Sequence, residues 1–219
     1  MHFRSKIKFM EVVPRHQCLI YEGSPAKHLR ALAAGIVENL KKNKRCLYLN
    51  SPTMVAGIRS YLAAAGVDLA HEMERGALVL SCDESHLVDG QFDSGRMLAL
   101  LEDAIEEALR DGFSGLWATG DMTWEFGNEK NFVKLLEYER GLEQLFEKHV
   151  SLSGVCQYHT DTLPIGVVEQ GLYIHRGVFV SETLSRINPY YLSHETLASR
   201  PKGSVSEVRQ MVQSLQHSS

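Results

Sequence analysis

Two histidine–cysteine pairs carry the first hint of chemistry in this chain. His16 and Cys18 stand two apart in an apolar run, so in a strand both side chains point to one face while Leu19 and Tyr21 point to the other. Cys156 and His159 close a second apolar run. The four residues could ligate zinc if the two runs meet, yet neither pair has the short two-cysteine knuckle spacing of structural zinc sites. Buried thiols beside hydrogen-bonded histidines are the simpler reading, and the spacings call for no metal and no cofactor. A catalytic Cys/His dyad has no nucleophile-turn signature around either cysteine.

The acids form a second set. Residues 115–122 are an apolar run that ends in Asp121, the form of a strand whose acid holds magnesium in nucleotide hydrolases. The loop that should face it, Glu22-Gly23-Ser24-Pro25-Ala26-Lys27-His28, does not fit a phosphate cradle, which needs G-x-x-x-x-G-K-[ST]. A second glycine is missing, Lys27 stands one position early, no hydroxyl follows it, and Pro25 removes a backbone donor. Asp121, Thr123, Trp124 and Glu125 therefore read either as a ligand pocket beyond a strand end or as a turn cap with a packed indole. Glu139 falls on the apolar stripe of a helix expected over 131–148, between Leu136 and Leu142. A carboxylate there must roll out to water or serve an internal polar site, because burial without a partner is costly.

The elements that position these groups follow from periodicity. Apolar strand runs at 16–21, 45–50, 77–82, 115–119 and 152–158 alternate with helical stripes. Leu29, Leu32, Ala33, Ile36, Val37 and Leu40 make one stripe; Val55, Ile58 and Leu62 make a second behind Ser51-Pro52; Met97, Leu100, Leu101, Ala104, Ile105 and Ala108 make a third. Thr160-Asp161-Thr162 before Pro164 predicts a capped helix start, leading to Ile174-His175 and an apolar run at 178–180. The expected fold is α/β, three-layered, with a mostly parallel central sheet and helices on both faces. The 219 residues are expected to divide into a basic tail or edge strand at 1–15, one domain at 16–192, and a polar tail at 193–219. In that last stretch Val205, Val208, Val212 and Leu215 predict a short docking or dimerising helix, or a frayed end.

Composition narrows the partners. A formal net charge of −4 argues against direct nucleic-acid binding, and no apolar run is long enough for a signal peptide or a membrane span. Four scattered cysteines at apolar run ends suit a reducing compartment, so the expected location is cytoplasmic.

His16-Gln17-Cys18-Leu19-Ile20-Tyr21, Gly120-Asp121-Met122-Thr123-Trp124, Tyr138-Glu139, Cys156-Gln157-Tyr158, His175 and Asn188-Pro189-Tyr190-Tyr191 occur in the order seen in the MEDS family, the methanogen/methylotroph DcmR sensory domains. The resemblance runs from about 16 to 191. It implies a fold like the RecA and KaiC ATPases with an eroded phosphate loop, and a non-catalytic sensor of small molecules, hydrocarbon derivatives among them. Family members are often joined to histidine kinases or transcription regulators. Neither fits within this chain, so the resemblance implies a separate signalling partner or a longer protein; a homo-oligomer stays open. On this reading His16, Cys18, Tyr21, Asp121, Trp124, Glu139, Cys156, Tyr158 and His175 bind the ligand, and His16, Tyr21, Asp121, Trp124 and Tyr158 are expected to border one pocket. The alternatives are a KaiC- or RecA-like ATP-binding protein and a structural adaptor without a ligand.

Overall fold

The computed structural model describes residues 14–128, 130–181, 184–199 and 203–217; of the basic tail or edge strand expected at 1–15, residues 1–13 lie outside the described residues. Strands β1 (His16–Tyr21), β2 (Arg45–Leu49) and β3 (Leu78–Ser81) are followed by a small antiparallel hairpin, β4 (Leu87–Val88) with β5 (Gln91–Phe92). Then come β6 (Leu116–Asp121), β7 (Leu152–His159), β8 (Gly177–Ser181) and β9 (Leu184–Ile187). Seven of these strands form one sheet in the order β3-β2-β6-β7-β1-β8-β9. All neighbours are parallel except β8 with β9, so the fold is α/β with a mostly parallel sheet.

Helices cover both faces. On the first lie α1 (Ala26–Lys41), α2 (Pro52–Ala64) and α3 (Leu69–Glu74), with Leu29, Leu32 and Ile36 of α1 and Ile58 and Leu62 of α2 packed on Tyr21, Tyr48 and Trp117 of the sheet. The second face carries α4 (Ser94–Arg110), the short α5 (Met122–Glu125), α6 (Leu135–Lys148), α7 (Ile165–Ile174) and, after α8 (His194–Ser199), α9 (Val205–His217). Of the stripe expected in α4, Met97, Leu101, Ile105 and Ala108 are buried at intervals of three or four residues, whereas Leu100 is exposed; each fully buried large aliphatic side chain contributes about 1.5–3 kcal/mol. Asp93 caps α4 by accepting from the Arg96 amide.

The last helix is not a loose tail. Val208, Val212 and Leu215 are buried in the second-face core, so the stripe at 205–215 docks on its own domain.

Chains leaving β1 and β2 turn to the first face, and those leaving β3, β6 and β7 turn to the second. Neighbours β1 and β7, and likewise β2 and β6, thus send their connections apart. A crevice opens between such strands at their carboxyl ends, the usual ligand position in open α/β sheets.

Candidate functional site

The crevice is present as a pocket of about 290 Å³ over the carboxyl ends of β1, β2, β6 and β7. Side chains of odd-numbered residues reach it from the first face: Tyr21 from β1, Asp121 from β6 and His159 from β7. Asp121 is 7 % exposed and spends both oxygens, one accepting from the Tyr21 hydroxyl at 3.3 Å and the other from the Trp124 amide at 3.1 Å. Burial raises the Asp121 carboxyl above its ordinary range despite these bonds, and burial together with the Asp121 charge raises the Tyr21 phenol. The Tyr21 ring stacks on His159 with centroids 4.8 Å apart, and half-buried Trp124 leans on His86 at 5.0 Å. Asn50 and Met54 close the opposite wall.

The loop after β1 shows where a phosphate-binding donor has gone. The Gly23 amide donates to the Asp161 carboxylate at 2.8 Å, while the His159 Nε2–H donates to the Gly23 carbonyl at 2.8 Å. An acid held against this loop repels phosphate. The same bond corrects the expected cap at 160–162: Asp161 is committed to Gly23, Thr162 to Thr123 and the His159 carbonyl, and α7 begins behind Pro164 with no side-chain cap.

Even-numbered residues of β1 and β7 point to the second face and help build a separate, closed cluster. His16 (4 % exposed), Glu139 and His175 (both 0 %) and Cys156 (8 %) bring their polar atoms together between β1, β7, α6 and the end of α7. His16 Nδ1–H donates to Glu143 at 2.7 Å, leaving its Nε2 facing Glu139 Oε2 and the Cys156 sulfur, each at 3.5 Å. His175 Nδ1–H donates to the Gly171 carbonyl at 2.7 Å, leaving its Nε2 facing Glu139 Oε2 at 3.6 Å. Tyr158 donates its hydroxyl to Glu139 Oε1. Burial keeps His175 neutral, well below the usual imidazole range, and pushes the Glu139 carboxyl and Cys156 thiol upward. Gly171 is what lets Tyr158 in: a Cβ there would meet its ring at 2.5 Å.

The nine residues marked in the sequence therefore divide. Tyr21, Asp121 and Trp124 border the crevice, whereas His16, Glu139, Cys156, Tyr158 and His175 form the closed cluster, and Cys18 lies in the second-face core in register with Cys156. The expectation of one pocket shared by His16, Tyr21, Asp121, Trp124 and Tyr158 fails on strand alternation and on direction: His16 begins β1 while Tyr21 ends it. The quartet of His16, Cys18, Cys156 and His159, set aside above in favour of buried thiols, does not converge: His159 lies on the crevice side and Cys18 is outside the group of converging ligand atoms. Sequence reading missed Glu143 and Asn50. Glu143 was visible as the residue one helical turn beyond Glu139 on the same face.

Glu125 is the other buried acid. It is 2 % exposed, its Oε2 has no hydrogen-bond partner among the described residues, and burial pushes its carboxyl up to about 8. Its side chain lies so close over Gly120 that a Cβ there would stand 1.8 Å from Oε1.

Free thiols account for all four cysteines: Cys18, Cys46 and Cys156 are buried and Cys82 is exposed. Among the described residues no helix is long and apolar enough to cross a membrane. No curated protein matches the chain significantly. The family model described as MEDS, MEthanogen/methylotroph, DcmR Sensory domain, matches residues 15–176, which span β1 to the end of α7 and hold both sites.

Proposed function

The chain belongs to the MEDS family of sensory domains, and from that premise we propose that it is a non-catalytic receptor for a small molecule bound in the crevice at the carboxyl edge of the sheet. The observation that carries this reading is the pocket of about 290 Å³ at the strand ends, which sets aromatic and aliphatic walls, Trp124, Tyr21 and Met54, beside the polar Asp121, Asn50 and Thr123. Such a lining suits a compact ligand with an apolar body and one polar end, the chemistry of a short hydrocarbon derivative. The scaffold is that of a RecA- or KaiC-like ATPase whose phosphate loop has been given up; the Asp161 carboxylate on the Gly23 amide supports this, as does Asp121 at the end of β6 with no cradle opposite. Signal leaves through a separate cytoplasmic partner, a histidine kinase or a transcription regulator, that reads the loops after β1 and β6. A ligand moves those loops by preferring one of their arrangements.

Thermal unfolding in the presence of short alcohols, amines and haloalkanes tests the reading. A ligand at a hundred times its dissociation constant stabilises the fold by about 2.7 kcal/mol. Stabilisation by at least one compound, lost in Trp124→Ala, is expected. Stabilisation by magnesium–ATP alone would replace the receptor with a nucleotide-binding protein, and no response to any compound in the panel would favour an adaptor.

A further inference from the structure

The closed cluster between β1, β7, α6 and α7 takes no part in the crevice, and its geometry has a chemistry of its own. Four potential ligand atoms, His16 Nε2, Glu139 Oε2, Cys156 Sγ and His175 Nε2, all lie within 4.8 Å of one another. Three of the separations are 3.5, 3.5 and 3.6 Å. Ligands about 2.0–2.3 Å from a tetrahedral zinc-class ion stand about 3.3–3.8 Å from each other, so these spacings are those of a tetrahedron's edges.

Hydrogen bonds alone do not explain the arrangement. The Nδ1–H of His175 is spent on the Gly171 carbonyl, so its Nε2 presents a lone pair, and it faces Glu139 Oε2, another acceptor. Both atoms are buried without a hydrogen-bond partner among the described residues, and 3.6 Å is too long for a proton to join them. With Glu139 ionised, two buried acceptors turned toward each other are stabilised by a positive centre between them. The surroundings are also those of a metal site. His16 and His175 each donate the other ring N–H, one to the Glu143 carboxylate and one to a backbone carbonyl, which orients the free nitrogen; Tyr158 holds the second oxygen of Glu139.

We propose that His16, Glu139, Cys156 and His175 form a tetrahedral binding site for a divalent transition-metal ion of the zinc class. Two neutral imidazoles, one thiolate and one carboxylate give the ion a ligand set of charge −2, so the loaded site is neutral and tolerates burial. Loading releases to solvent the Cys156 thiol proton and any proton held by the Glu139 carboxyl. With all four positions filled by protein the site is of the structural kind, and it ties the start of β1 to β7, α6 and the end of α7.

The test uses the full chain, stripped with chelator and titrated with Co²⁺ as a spectroscopic probe for Zn²⁺. One equivalent is expected to bind, with tetrahedral d–d bands, a thiolate-to-cobalt charge-transfer band and a raised unfolding temperature. Cys156→Ser removes the charge-transfer band, Glu139→Gln weakens binding, and Cys82→Ser, which removes the exposed thiol, leaves the spectrum unchanged. Glu143→Gln, at a more exposed position that leaves the ligands in place, lowers affinity about 10–100-fold by loosening His16. Failure of the stripped chain to bind Co²⁺ at micromolar concentration would overturn the proposal. A spectrum that survives Cys156→Ser and Glu143→Gln but disappears in Cys82→Ser would do the same. Neither result bears on the crevice, whose ligand response is read in the stripped chain.

Discussion

Replacing Glu125→Gln removes a proton equilibrium from the core while keeping shape and volume. In the folded chain burial holds this carboxyl at about 8, against 4.5 for the free group. The folded state therefore binds the proton more tightly than the unfolded state. The stability held by the neutral acid is full below pH 4.5 and falls as pH rises, until the folded carboxyl ionises near 8. Each unit of separation is worth about 1.4 kcal/mol, so between pH 5 and pH 8 the wild-type chain loses about 3–4 kcal/mol from this group alone. The amide-substituted chain has no such slope. Urea unfolding of both chains across pH 5–9 measures the difference, in which the titrations common to both cancel. The gap in favour of Glu125→Gln is expected to widen by about 3–4 kcal/mol between pH 5 and pH 8. A gap constant with pH would refute the reasoning, since it would mean that Glu125 reaches water or a cation in the folded chain.

Calorimetry with magnesium–ATP is expected to show no micromolar binding, because the Gly23 amide already serves Asp161; binding abolished by Lys27→Ala would contradict this. Trp124→Ala trims a half-buried indole and should cost about 1–2 kcal/mol, less than a full core deletion, while abolishing ligand-induced stabilisation; paired thermal scans with and without ligand separate the two effects. Gly171→Ala drives a methyl into the Tyr158 ring at 2.5 Å and should destabilise by about 1–3 kcal/mol, with a changed near-ultraviolet circular dichroism spectrum as Tyr158 leaves Glu139; an unchanged spectrum would mean that α7 shifts instead.

Long periodic elements were legible in the sequence, as with Ser51-Pro52 opening α2 and the stripes of α1 and α4. The hairpin of β4 and β5 was not, because two residues per strand carry no readable alternation. β6 extends past 119 through Gly120 and Asp121, where a glycine and an acid end the apolar pattern; Gly120 is there to admit Glu125, a contact five residues away that no local pattern announces. Glu139 stood out as a carboxylate on an apolar stripe, and it is fully buried. Strand parity already placed His16 and Cys18 on one face and Tyr21 on the other. What parity could not supply was which helices cover each face, and so which of the marked residues meet.

β7 is a shared partition. Successive residues Tyr158 and His159 hang into different chambers, the first toward Glu139 and the second toward Tyr21. A one-residue insertion or deletion in this strand would exchange the linings of both chambers at once, so its length is locked. The connections after β2 and β6 supply crevice residues and none of the closed cluster's four converging ligand atoms, Ser51 and Met54 lying on one and Thr123 and Asn128 on the other. Variation of the crevice lining has room to proceed through the length and composition of those two connections, while the partition permits only substitutions in place.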